Sequence, residues 1–109
     1  HINASKDYIY AHIKERITIE DLADELGVSA SYLSRLFKKE TGMSVSAYIR
    51  QQKIEMAKNL LRFSDSSLID IANQLAFSSQ SHFIQQFREV TGMTPKKYRD
   101  ESRLNPWDD

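Results

Sequence analysis

The chain has 109 residues, 15 Lys+Arg against 15 Asp+Glu, 3 Gly, 2 Pro, no Cys and 40% apolar residues, which bounds it to one small domain or two very small ones. That length excludes an α/β barrel or a doubly wound dinucleotide fold. The lack of Cys excludes a disulfide framework, a thiolate zinc site and a thiol nucleophile, and it fits a reducing compartment, the cytoplasm. The longest unbroken apolar run, Tyr8 to Ala11, falls far short of the ~18 residues of a membrane span, and nothing marks a secretion signal. The start at His1, without an initiator Met, is that expected of a piece cut from a longer protein.

In chain order, a first helix is expected around Ser5 to Glu15, with Tyr8, Ile9 and Ile13 on its packing face. Thr18 followed by Asp21 resembles a capping box, and Ile19, Leu22, Ala23 and Leu26 then stand at helical spacing until Gly27 breaks the helix. Ser29 caps the next helix, whose apolar stripe is Leu33, Leu36 and Phe37 and whose stop is Gly42. Ser44 opens a long helix to about Phe63, with Tyr48, Ile49, Met56, Ala57, Leu60 and Leu61 on one face. Ser67 with Asp70 starts a helix carrying Leu68, Ile71, Ala72 and Leu75, and Phe83, Phe87 and Val90 form the stripe of the next, ended by Gly92. Thr94-Pro95 places a cap before a proline at the first helical position, opening a short last helix around Lys96 to Glu101. Arg103 to Asp109 reads as a polar tail in which Trp107 has no inferable partner.

The chain repeats itself. Ile19, Leu22, Ala23, Leu26 and Gly27 recur 49 residues later as Leu68, Ile71, Ala72, Leu75 and Ala76, whereas Leu33, Phe37, Thr41-Gly42-Met43 and Tyr48 recur 50 residues later as Phe83, Phe87, Thr91-Gly92-Met93 and Tyr98. The second copy therefore has one extra residue between its two helices. Each copy is a pair of short helices joined by a tight turn, with Ala23 to Gly27 and Ala72 to Ala76 at the small-residue spacing that lets helices cross closely: a helix-turn-helix, found twice. The expected fold is all-α, about seven helices. Its parts are a first subdomain over residues 1–43, a linker helix over 44–63, a second subdomain over 64–101 and a tail over 102–109. The ~19 helical residues that follow the Ser44 cap span about 28 Å, close to the ~34 Å that separates two reading heads in successive major grooves on one side of a duplex.

The ordered pieces Asp21-Leu22-Ala23 to Gly27, Ser29-x-x-Tyr32-Leu33-Ser34-Arg35-Leu36-Phe37-Lys38-Lys39-Glu40-Thr41-Gly42, Ile54-x-x-Ala57-x-x-Leu60-Leu61, Ile71-Ala72, His82-Phe83-x-x-x-Phe87-Arg88 and Thr91-Gly92-Met93-Thr94-Pro95-x-x-Tyr98-Arg99 carry a resemblance. Over residues 5–99 the chain is similar to the DNA-binding domain of the AraC/XylS family of bacterial transcription regulators. It departs from that pattern at the second turn, where Ala76-Phe77 stands in place of Gly and an aromatic. If that turn needs a left-handed residue, Ala costs about 1 kcal/mol. The resemblance implies sequence-specific binding of double-stranded promoter or operator DNA and transcription regulation. It also implies an effector or dimerisation region elsewhere in the parent protein, and activation through RNA polymerase more often than repression.

Charge summed by segment agrees with a basic repeat. Residues 1–27 hold 3 basic and 6 acidic side chains, residues 28–62 hold 7 and 2, residues 63–75 hold 0 and 2, residues 76–99 hold 4 and 1, and residues 100–109 hold 1 and 4. Such alternation also suits plain solvated helix surface. Opposite the core stripe of the first turn's second helix stand Ser31, Ser34, Arg35 and Lys38. Arg35 is the candidate base contact, its planar fork matching guanine O6 and N7, with Lys38 and Lys39 on phosphate; the alternative is an exposed arginine paired with a carboxylate. On the second such helix the outward stripe is Ser81, Ile84, Gln85 and Arg88, flanked by Gln80 and His82. Gln80 and Gln85 suit adenine and Ile84 a thymine methyl, unless Ile84 packs on a neighbouring helix. Arg88 and Lys96 are expected on phosphate, as are the helix starts at Thr18 and Ser67. The two outward faces differ, so a non-palindromic site is expected.

Other classes have less to stand on. His1, His12 and His82 are isolated and lack metal-ligand spacing. There is no glycine-rich phosphate loop and no recognisable nucleophile elbow, so neither cofactor, metal nor catalysis is expected. A helical protein-interaction module without DNA binding remains the alternative. It requires one continuous exposed apolar groove, where DNA binding requires affinity that falls steeply with salt.

Overall fold

The helices begin where hydroxyl side chains stand ready to cap them. Thr18 Oγ1 accepts the Asp21 N–H at 3.1 Å, Ser29 Oγ that of Tyr32 at 3.1 Å, Ser44 Oγ that of Ala47 at 3.1 Å, Ser67 Oγ that of Asp70 at 3.1 Å, Ser79 Oγ that of His82 at 3.0 Å and Thr94 Oγ1 that of Lys97 at 3.2 Å. Each satisfies one of the amides a helix leaves unpaired at its start. The structure, a computed structural model, describes residues 1–104. Among them stand seven α-helices, in the order α1 (Ile2–Ala11), α2 (Ile19–Leu26), α3 (Ala30–Thr41), α4 (Val45–Phe63), α5 (Leu68–Gln74), α6 (Gln80–Thr91) and α7 (Pro95–Leu104). None is long and apolar enough to cross a membrane.

Two elements depart from their expected bounds. α1 lies three to four residues earlier than its apolar spacing suggested, because His12 ends it: the His12 ring stacks on Tyr8 at 4.2 Å, its Nδ1 meets the Glu15 carboxylate at 2.8 Å, and the Glu15 N–H returns to the His12 carbonyl. The last helix runs on through Ser102, Arg103 and Leu104, so the expected polar tail begins too early. Arg103 draws the extra turn in, its guanidinium donating to the Ser64 carbonyl at 2.6 Å and to Asp65 Oδ1 at 3.0 Å. The rest of that tail, with Trp107, lies outside the described residues.

By its contacts the chain divides into two units, His1–Gln52 and Lys53–Asp109, and the boundary falls inside α4. In the first unit α1, α2 and α3 pack together, burying Ile9, Ile13, Leu22, Ala23, Leu33, Phe37, Val45 and Ile49. Burial and the carboxylates of Asp21, Glu25 and Glu15 hold the Tyr8 phenol above its ordinary pKa. In the second unit the core is Ile54, Ala57, Leu61, Ile71, Ala72, Leu75, Phe83 and Phe87. The end of α4 therefore serves this unit as α1 serves the first, and α7 follows α6 as the start of α4 follows α3.

The repeat extends to hydrogen bonds. Thr41 Oγ1 donates to the Phe37 carbonyl at 2.7 Å and accepts the Met43 N–H at 3.1 Å; Thr91 Oγ1 does the same with Phe87 at 2.8 Å and Met93 at 3.2 Å. Phe37 meets Tyr48 edge-on at 5.3 Å and Phe87 meets Tyr98 edge-on at 5.6 Å. Where the first copy buries Ile49, the second has Arg99. Its guanidinium donates to the carbonyls of Leu61 and Ser66 at 3.0 and 2.7 Å, satisfying acceptors at and just beyond the end of α4. Lys53, 7% exposed, does the same for α5, with Nζ 2.6 Å from the Leu75 carbonyl.

The two turns match in conformation and differ in composition. Gly27 lies at φ +69°, and Ala76 adopts φ +58°, the one non-glycine residue with positive φ among those described. A methyl added at Gly27 would meet nothing within 4 Å, so the difference is one of backbone strain. Ala76→Gly is expected to raise stability by about 0.5–1 kcal/mol and Gly27→Ala to lower it by about 1 kcal/mol. Urea unfolding of the two variants checks both signs.

Candidate nucleic-acid interface

What faces outward on α3 follows from what it buries. Leu33 and Phe37 are fully buried, and Ser31, Ser34, Arg35 and Lys38 all stand exposed on the opposite stripe, with Lys39 beside them. The two serines lie a turn apart with short side chains, leaving room at the surface for a close approach. Among the described residues, the Arg35, Lys38 and Lys39 side chains form no ion pair. α3 thus carries three cations against one carboxylate, Glu40.

α6 is fixed in the same way by Phe83 and Phe87, both fully buried. Gln80, Ser81, His82, Gln85 and Arg88 are exposed and Ile84 is half-buried. Ser81, Ile84, Gln85 and Arg88 line one shallow recess, together with Glu89. Ile84 is therefore part of the outward stripe that the helical spacing suggested. α6 has one fixed cation and one fixed carboxylate, Arg88 and Glu89. The two helices are unlike in charge as well as in shape.

Glu89 was missed by sequence reading. Its carboxylate Oε1 lies 3.5 Å from Gln85 Nε2, at the i+4 spacing that makes side chains neighbours on a helix. Extending the stripe Ser81–Gln85 by one more turn would have found it. The remaining expected residues belong to other helices, Thr18 and Ser67 capping α2 and α5 and Lys96 lying on α7. Thr18 and Ser67 are exposed, their hydroxyls occupied as caps, and the first turn of α2 already carries Glu20 and Asp21, which complement the helix dipole and oppose a phosphate there. Lys96 is exposed and pairs with Asp100 at 3.3 Å. Among the described residues no group of His, Asp and Glu is arranged to hold a metal ion.

Known proteins share this plan. A family described as "Helix-turn-helix domain" matches residues 22–101. The regulatory protein PocR of Salmonella typhimurium is 38% identical over 98 residues, which cover 90% of this chain and 32% of PocR, so the chain spans about a third of that protein. A transcriptional regulator of Chromobacterium violaceum, of the AraC-type DNA-binding-domain class, superposes with a TM-score of 0.89 at 30% identity, over 96% of this chain and 93% of that one. The DNA-binding domain of AdpA, solved in complex with a target DNA, superposes with a TM-score of 0.91 at 26% identity, over 98% and 97% of the two chains.

The carboxylate in the recess offers a test of which side meets a polyanion. Glu89→Gln removes a charge that repels phosphate, an effect of about 1 kcal/mol at ~4 Å in water. Affinity for a duplex of random sequence is expected to rise roughly fivefold at low salt, with the gain fading as salt screens it. Fluorescence anisotropy at two ionic strengths measures this, and an unchanged affinity at low salt would place Glu89 away from the duplex.

Proposed function

Because this chain belongs to the AraC-type family of helix-turn-helix regulators, whose DNA-binding domain it matches along nearly its whole length, we propose that α3 and α6 are its two reading helices, entering successive major grooves of duplex DNA. The chain binds DNA sequence-specifically and regulates transcription. The observation that carries the assignment of α3 is its outward stripe of two exposed serines with an exposed arginine and lysines. On this reading Arg35 donates two hydrogen bonds to guanine O6 and N7, Ser31 and Ser34 allow the close approach, and Lys38 and Lys39 hold phosphates. Gln80, Ser81, His82, Ile84 and Gln85 supply the base contacts of α6, Ile84 against a thymine methyl, while Arg88 and Lys96 hold phosphate. Thr18 and Ser67 are the weaker phosphate anchors, since their hydroxyls already serve the chain's own amides.

The charge difference supports a division of labour. α3, with its excess of cations, supplies the larger salt-dependent share of affinity, and α6, near neutrality, discriminates by amide and apolar contacts. Two unlike helices read two unlike half-sites, so the target is not palindromic. A peptide-binding groove would require a continuous apolar outer face, whereas the outward stripes of α3 and α6 are polar apart from Ile84. The role is binding without catalysis, in the cytoplasm, as one part of a longer regulator. Effector sensing or dimerisation resides in the remainder of the parent protein, and RNA polymerase is the partner of the bound protein.

Selection of bound duplexes from a random pool tests the assignment. Two separated determinants about one helical turn apart are expected. Arg35→Ala should relax preference at one base pair and cost about 1–3 kcal/mol, and Gln85→Ala should relax a different position. Lys38→Ala should weaken all sequences alike and reduce the salt slope by about one. A uniform loss from Arg35→Ala would make Arg35 a phosphate anchor.

A further inference from the structure

The extra residue of the second repeat can be located. Val28 and Phe77 correspond, since each returns its N–H to the carbonyl five residues back, Ala23 or Ala72, at 3.1 and 2.9 Å. Ser29 and Ser79 correspond, since each caps the helix that follows. Between Val28 and Ser29 there is nothing; between Phe77 and Ser79 stands Ser78. The backbone N–H of Ser78 donates to His82 Nδ1 at 3.4 Å, and the Phe77 ring meets the imidazole edge-on at 5.6 Å. The first unit has Tyr32 at the position of His82, and no counterpart of Ser78 to face it.

A neutral imidazole has one donor and one acceptor nitrogen, and the bond made by one fixes the role of the other. With Nδ1 accepting from Ser78, the proton belongs on Nε2, at the far side of the ring from the turn. His82 is exposed, on the third residue of α6. We infer that His82 is a specificity-determining residue of the second reading helix, a one-way donor whose Nε2–H seeks an acceptor on a base edge and excludes cytosine. Guanine O6 and N7, adenine N7 and thymine O4 accept such a bond in the major groove, whereas cytosine presents the N4 amino donor. The inserted residue thus sets what the ring reads. This rests on the reading of α6 as a DNA-reading helix and adds the chemical sense of one contact.

Two measurements test it. Long-range 1H–15N correlations of the imidazole in the free chain, at a pH where the ring is neutral, are expected to show the Nε2–H tautomer; a predominant Nδ1–H tautomer overturns the inference. Site selection is then repeated with His82→Gln, whose amide nitrogen stands near the place of Nε2, and with His82→Asn, whose amide nitrogen stands near that of Nδ1. His82 is exposed, so both variants are expected to fold. The Gln variant should retain affinity within about threefold and keep the exclusion of cytosine at one position, while the Asn variant should lose about tenfold and accept all four bases there. Equal losses with unchanged selectivity would make His82 a phosphate contact and overturn the inference while leaving the DNA reading intact. If the wild-type chain selects no sequence although its ring is in the Nε2–H form, the reading of α6 as a DNA-reading helix fails, and the base contact with it.

Discussion

The burial of one phenylalanine in each second helix governs the outward faces. Phe37 and Phe87 are fully buried, each meets a tyrosine of the following helix edge-on, and each has its carbonyl held by a threonine four residues on. With Leu33 or Phe83 one turn earlier, these contacts fix the rotation of α3 and α6 about their axes. A helix whose inner face is fixed has no choice about its outer one. The stripes that present Arg35 and Gln85 are consequences of this packing, as much as of the residues that compose them.

Duplication with divergence explains what the two units share and where they part. Caps, threonine bonds and aromatic pairs recur almost atom for atom within each unit, because the local stability of two short helices requires them. The differences gather at the turn and on the outer face. The second turn keeps the left-handed conformation without glycine, gains Ser78, and leads into a helix whose fixed charges cancel. A structural cost at Ala76 and a new backbone donor at Ser78 thus lie directly before the outward stripe of α6.

Much of this was legible in the sequence, for a physical reason. Caps and stops are local, so Thr18, Ser29, Ser44, Ser67 and the glycines marked most helix limits, and the 49- and 50-residue offsets revealed both the repeat and its inserted residue. Apolar spacing named much of the core, Phe37, Phe83 and Phe87 among it. What escaped depends on contacts between residues distant along the chain. Arg103 extends α7 only because Ser64 and Asp65 lie beside it in the fold. His12 ends α1 through a stacked ring and a carboxylate that periodicity does not register. Glu89 was passed over because a carboxylate runs against the expectation of a basic face, although its spacing from Gln85 was in plain view.

That α3 and α6 read bases with their outer stripes is tested most directly by intermolecular nuclear Overhauser contacts in a complex of the isotope-labelled chain with its selected duplex. The expected result is contact between base protons of the major groove and the side chains of Ser34 and Arg35 in one half-site, and of Ile84 and Gln85 in the other. Base contacts made instead from the outer faces of α2 and α5, with the α3 and α6 stripes unperturbed, would contradict it.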